Sequence, residues 1–234
     1  MGKTLLGKLP AEAVGMMELP RLAPAIIEGF RALADLTGTT SDALDQCGIA
    51  GVVLLRPTDP KARVVGQAVT VENRRLACPS RTSKLGEIEA HNLAQPGDVL
   101  VIQGVAGISS MGGVSASIGR RQGEAGAVVD GAVRDIDHSR AIGYPVWSAG
   151  VSPITGKWRI ETVAVNKPVA IAGVQVRPGD LVVADECGVC FVPCARAAEV
   201  LAAAQRLAQS EKERLSKLAE GMPLAEFAAL PRPE

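Results

Sequence analysis

The chain has 234 residues, enough for one domain with a sizeable core or at most two small ones. Its 25 Lys and Arg balance 25 Asp and Glu with no charge run, which argues against nucleic acid as the main partner. It is 47% hydrophobic yet only 3% aromatic, so Val, Ala, Leu and Ile must build the core. No apolar run approaches the roughly 18 residues needed to cross a bilayer.

In chain order, Met1–Lys8 carries no signal-peptide pattern, so a soluble cytoplasmic protein is expected. Residues 1–35 mix Pro with short helical runs and read as an N-terminal extension. Ser41 or Thr40 is expected to cap a short helix ending near Cys47-Gly48. Ala62–Val71 is a β-branched strand in which Gly66 marks a bulge or a close approach. Glu87–Leu93 reads as a helix, followed by the turn Pro96-Gly97-Asp98 and a buried strand, Val99–Ile102. A Gly- and Ser-rich stretch, Gly104–Gly113, leads into a helix over about Val114–Gln122. Then come a strand at Ala127–Asp130, a short helix at Asp135–Ile142 and a strand at Pro145–Trp147. That alternation implies right-handed crossovers and parallel pairing.

Beyond Gly150 the pattern becomes strands and turns: Val163–Val165, Val169–Ala172, Val174–Val176, Leu181–Ala184 and Val189–Val192. Arg177-Pro-Gly-Asp180 repeats Gln95-Pro-Gly-Asp98, which reads as one turn used twice. A long helix is expected from Ala195 to about Glu220, with Val200, Leu201, Ala204, Leu207 and Ala208 on its packed face, and then a tail over 221–234. The fold class is α/β: a central mixed sheet, outer helices and a β-rich layer in the second half. Five cysteines do not suggest a disulfide framework. Cys187, Cys190 and Cys194 tempt a zinc reading, but strand alternation separates neighbouring side chains and a fourth ligand is missing. They read as small buried thiols.

The candidate chemistry gathers at Gly112–Asp135. Arg134-Asp135 leaves the carboxyl end of a buried strand, the edge of an α/β sheet that faces ligands. Arg134 can hold a carboxylate bidentately, and Asp135 can give one oxygen to Mg²⁺ or Mn²⁺. Gly112-Gly113 before a helix offers free N–H groups to an anion. The plainer alternatives are a surface salt bridge and an ordinary turn. His138 lies three residues past Asp135, as an acid/base or a surface histidine. His91 reads as structural or exposed. The polar loop Ser152–Arg159 either reaches substrate or a neighbouring subunit, or is a solvated hairpin tip.

Taken together, several motifs resemble the RraA-like family, which is named for the regulator of ribonuclease E activity A and includes 4-hydroxy-4-methyl-2-oxoglutarate aldolases. They are Thr40–Asp45, Val65–Thr70, Pro96–Val101, Gly126–Asp135, Gly143–Val146, Val176–Asp185 and Gly188-Val189, and the likeness spans roughly 36–220 as a single domain. The resemblance implies a swivelling β/β/α fold with a long C-terminal helix, and homotrimers or hexamers with sites between subunits. It also implies a metal-dependent lyase that stabilises a pyruvate enolate. On this chain Arg134 would neutralise the enolate and Asp135 would ligate Mg²⁺ or Mn²⁺. The amides of Val114 and Ser115, beside Gly112 and Gly113, would bind the substrate carboxylate. Glu211 or Glu213 would reach a neighbour's metal through water.

The aldolase pattern has a Gly, twenty residues, Arg-Asp, two residues and an acid. Gly113 and Arg134-Asp135 match, whereas His138 replaces the acid, and Gly113 stands where aldolases place a second acidic residue. The enzyme reading is cleavage of a 4-hydroxy-2-oxo acid to pyruvate, or oxaloacetate decarboxylation. The rival is a non-catalytic, protein-binding regulator of the ribonuclease E type. Neither a nucleic-acid partner nor a membrane is expected.

Overall fold

The computed structural model describes residues 3–231; Met1, Gly2 and the end of the predicted tail lie outside it. Two helices come first, α1 (Pro24–Arg31), which has Pro in its first turn, and α2 (Leu36–Gln46). The predicted cap of α2 is wrong. Asp35 caps the helix by accepting the Gly38 N–H at 3.3 Å, while Thr40 sits inside it and donates to the Leu36 carbonyl at 2.7 Å. A Ser/Thr run reads as a cap, but buried hydroxyls can instead bond back to their own helix. The predicted end holds, with Gly48 just past it at φ +67°.

Two short strands, β1 (Val52–Val53) and β2 (Arg56–Pro57), precede the long β3 (Val64–Arg75), which starts two residues later than expected and outlasts its predicted end. It is long because its first half pairs antiparallel with β11 (Leu181–Ala184), and its second half with β8 (Ile160–Val165). Gly66 is a close approach: a Cβ there would lie 2.1 Å from the Gly97 carbonyl oxygen. After α3 (Ile88–Leu93) come β4 (Val99–Gln103), β5 (Ser109–Met111), α4 (Gly113–Gln122), β6 (Gly126–Val133), α5 (Ile136–Ala141) and β7 (Val146–Val151). Strands β3, β4, β6 and β7 run parallel in that order, as the alternation predicts.

The second half adds a hairpin, β9 (Val169–Ile171) with β10 (Val174–Val176), and a last strand, β12 (Val189–Val192). The main sheet reads β1-β12-β11-β3-β4-β6-β7-β2, with β5 on β6 and β8 on β3. Its parallel strands are buried on both faces, which is why they read as continuous apolar runs. Leu100, Ile102, Ala127 and Val129 pack with Ala90, Leu93 and Ala116 of the helices. Val99, Val101, Val128 and Trp147 pack on the other side with Ile171, Val182 and Phe191. Each buried Val, Leu, Ile or Phe among them contributes about 1.5–3 kcal/mol.

The repeated tripeptide does form one turn twice. Gly97 and Gly179 have φ +89° and +90°, and Asp98 and Asp180 each accept a backbone N–H at 2.8 Å, from Gln95 and Arg177. A long helix, α6 (Ala197–Ala219), lays Val200, Leu201 and Ala204 against Phe30 and Leu44, and a short α7 (Leu224–Ala228) follows. The segment before α1 belongs to the same core. Buried Glu89 accepts the N–H groups of Leu6 and Lys8 at 2.9 and 2.7 Å, Leu19 is buried, and Arg21 pairs with Asp98. Among the described residues no helix is long and apolar enough to cross a membrane.

Gly66→Ala is expected to lower unfolding free energy by about 1–3 kcal/mol in urea titrations, because the new methyl meets backbone rather than a movable side chain. A change below about 0.5 kcal/mol would show that the β3–turn contact gives way freely.

Candidate active site

Strand β5 and the residues that follow β6 open into a crevice of about 310 Å³, walled by α3, the start of α4 and the loop at Thr155–Lys157. Asp135, between β6 and α5, has φ +55° and ψ +38°, a left-handed conformation that Asp adopts more easily than most residues. Its carboxylate does not cap α5. Instead Oδ2 accepts the Gly113 N–H at 2.9 Å, and the Arg134 Nε lies 3.6 Å from the same oxygen. Gly112 makes the approach possible, since a Cβ there would lie 2.7 Å from Asp135 Oδ2 and 3.2 Å from Arg134 Nε.

Of the amides expected to meet an anion, that of Gly113 is therefore taken by Asp135. The N–H groups of Val114 and Ser115, in the first turn of α4, keep no acceptor among the described residues. Both residues line the crevice with Arg134 and Asp135. The structure thus brings together Gly112, Gly113, Val114, Ser115, Arg134 and Asp135.

His138 packs beside Gly113 without lining the crevice. It is exposed, and its Nε2 lies 2.8 Å from Ser117 Oγ, which itself donates to the Gly113 carbonyl. Its Cδ2 lies 3.1 Å from where a Gly113 Cβ would sit. The two departures from the aldolase pattern therefore touch: a side chain at 113 would press on the His138 imidazole, which would have to give by a few tenths of an ångström. Glu211 and Glu213 are exposed on α6, and neither lines the crevice of its own chain.

Several crevice residues escape a reading of motifs. His91 is fully buried, with Nδ1 2.8 Å from Glu124 Oε1 and Nε2 2.9 Å from Ser115 Oγ. Tyr144 donates its O–H to Glu124 Oε2 at 2.6 Å, and burial, then the carboxylate beside it, pushes the phenol well above its ordinary range. Ser110 Oγ is buried without a partner among the described residues and lines the crevice. Lys157 lines it too, on the Ser152–Arg159 loop that the sequence offers as a reach toward substrate. Glu87 is half-buried there, and burial raises its carboxyl above the usual range against the lowering pull of its own backbone hydrogen bond and His91.

The buried-thiol reading holds for Cys190 alone, whose thiol is pushed up to about 12 by burial and then by Asp185. Cys187 is exposed in the β11–β12 turn, and Cys194 is half-buried beyond β12. Among the described residues no three His, Cys, Asp or Glu side chains are grouped to hold a metal. Asp135 nevertheless presents one carboxylate at the crevice, a donor set that fits Mg²⁺ or Mn²⁺, which keep several waters.

The RraA-like family profile, described as Aldolase/RraA, matches residues 37–191. A Halalkalibacterium halodurans protein provisionally named 4-hydroxy-4-methyl-2-oxoglutarate aldolase is 32% identical over 191 residues, covering 80% of this chain and 86% of its own. The Legionella pneumophila protein DlpA is 30% identical over 190 residues, 79% of this chain, which spans only 30% of DlpA's length. The crystal structure of Streptomyces coelicolor RraAS2, described as an unusual member of the RNase ES inhibitor RraA family, superposes with a TM-score of 0.71 at 31% identity. That match covers 83% of this chain and 98% of RraAS2.

Two outcomes are expected at this site. Gly113→Ala and His138→Ala will be non-additive, the alanine at 113 being better tolerated by about 0.5–1 kcal/mol once the ring is gone; additivity within about 0.3 kcal/mol in a double-mutant cycle would show that they do not share space. Glu87→Gln will raise Tm at neutral pH, because the folded state favours the protonated carboxyl and loses that stability as pH rises through its raised pKa. The advantage will vanish as pH falls through the carboxylate range, and a pH-independent difference would contradict burial as the cause.

Proposed function

We infer the function from one premise: the chain belongs to the RraA-like family. We propose that it is a lyase for small 2-oxo acids, cleaving a 4-hydroxy-2-oxo acid of the 4-hydroxy-4-methyl-2-oxoglutarate type to pyruvate, or decarboxylating oxaloacetate. Both reactions pass through a pyruvate enolate. The observation that carries the reading is the convergence of Arg134, Asp135 and the unpaired Val114 and Ser115 amides in one crevice.

The first turn of α4 receives the substrate carboxylate on those amides, at the positive end of the helix. Arg134 is held by its backbone N–H on the Met111 carbonyl at 3.1 Å and stands beside the 2-oxo group, where its charge meets the developing oxyanion. Asp135 would hold Mg²⁺ or Mn²⁺, which would supply Lewis-acid charge at that oxygen. Lys157 and the Ser110 hydroxyl are placed for a second polar group of the substrate. His138, bonded to Ser117, stays outside the proton transfer.

A homotrimer or hexamer with sites between copies belongs to this reading, with Glu211 or Glu213 of a neighbouring copy near the metal. Val114, Ile154 and Trp158, exposed at and beside the crevice, favour coverage by another copy. A non-catalytic, protein-binding role like that named for the Streptomyces relative is the second reading. Arg134 and Asp135 side by side at the crevice favour chemistry over it, since a pure interaction surface has no need of that pair after a buried strand.

Pyruvate release from 4-hydroxy-4-methyl-2-oxoglutarate and from oxaloacetate, with Mg²⁺ or Mn²⁺, tests the proposal. Asp135→Asn, which keeps a left-handed backbone accessible, is expected to lower kcat/KM about a hundredfold or more, as is EDTA; Arg134→Ala will fall by about 10²–10³. A wild type inactive on both substrates, or indifferent to Asp135→Asn, would refute the metal-lyase reading.

A further inference from the structure

Beneath the crevice floor runs a chain of buried polar groups that the enolate-stabilising residues do not use. Tyr144 O–H donates to Glu124 Oε2, Glu124 Oε1 meets His91 Nδ1, and His91 Nε2 meets Ser115 Oγ. Its far end, Glu124 and Tyr144, is fully inside the protein, while Ser115 and His91 line the crevice. An ionised Glu124 only accepts, so the Nδ1 proton belongs to His91, whose Nε2 lone pair then accepts from the Ser115 hydroxyl. Elsewhere this sheet fills the same depth with Val, Leu and Ala. A desolvated carboxylate and imidazole are a costly choice where aliphatic side chains would pack, so stability alone does not account for them.

We propose that Ser115, His91 and Glu124 form a proton relay for the crevice, with the Ser115 hydroxyl exchanging the proton with substrate. This rests on the enolate reading above. Cleavage removes a proton from the hydroxyl on C4 and ends with a proton on C3 of pyruvate, so one group that takes a proton and returns it serves both steps. As the C4 hydroxyl proton passes to Ser115 Oγ, the proton of Ser115 moves to His91 Nε2. The C4–O bond becomes a carbonyl, the C3–C4 bond breaks, and its electron pair forms the enolate C2–C3 double bond. His91 Nε2 then returns a proton to Ser115 Oγ, whose own proton passes to C3. Imidazole and hydroxyl end as they began, and no other reactant is consumed. Ser115 is the catalytic residue of this relay. His91 and Glu124 act through it as positioning residues, and Tyr144 fixes the second oxygen of Glu124.

The whole protein with Mg²⁺ and pyruvate in D₂O, followed by loss of the methyl signal in proton NMR, reads the second half of the cycle alone. Pyruvate affinity is measured in parallel by calorimetry. The wild type is expected to exchange the methyl protons. Ser115→Ala will slow exchange about a hundredfold or more while pyruvate binds within about twofold, because backbone amides hold the carboxylate. His91→Gln will lower the saturated exchange rate with the half-saturating pyruvate concentration unchanged, a split that a merely structural histidine would not produce. Exchange within about threefold of wild type in Ser115→Ala would overturn the relay and leave the lyase reading standing. A wild type that binds pyruvate without exchanging it would overturn both.

Discussion

Much of this molecule turns on one hydrogen bond, from the Gly113 N–H to Asp135 Oδ2. It joins the first residue of α4 to the residue that follows β6 and Arg134, and so ties a helix to the strand that enters the site. Its geometry needs Asp135 in the left-handed region and Gly112 without a side chain. The next two amides of α4, those of Val114 and Ser115, have no acceptor among the described residues, because Asp135 is engaged with the first. On the proposed reading, an anion and an acidic donor can then share one helix end without neutralising each other.

The second constraint is the depth at which polar groups are placed. With so few aromatic residues, the protein buries Trp147, Tyr144 and Phe30 completely, and two of these three carry a polar atom that finds a partner. Trp147 Nε1 donates to the Asp185 carbonyl at 2.7 Å and ties β7 to the β11–β12 turn. Tyr144 anchors Glu124 under α4. The two anchors lie on opposite sides of the sheet and hold the strands that carry the crevice between them.

The parallel core was readable because its strands are unbroken apolar runs punctuated by glycine turns, and the Pro-Gly-Asp turn could be recognised twice from three letters. The α2 cap differs from the expected one because the helix starts at Leu36 on Asp35, which puts both Thr40 and Ser41 inside it and lets Thr40 bond back to the Leu36 carbonyl. At the site, Arg134-Asp135 and the glycines could be named because they adjoin in sequence. The His91 network could not, since Ser115, Glu124 and Tyr144 come from separate elements that only the folded sheet brings together. Lys157 sits on a loop whose path depends on hydrogen bonds such as Ser109 N–H to the Ile154 carbonyl at 2.8 Å.

The closeness of Gly113 and His138 bears on how this chain can change over generations. A side chain introduced at 113 meets an imidazole already in place, whereas loss of that imidazole alone leaves Ser117 exposed to water and still bonded to the Gly113 carbonyl. The first replacement starts from a crowding that the second relieves, whereas the second meets no such obstacle. The order of mutational steps therefore matters: a change at position 138 opens room for a side chain at 113, and the reverse order does not.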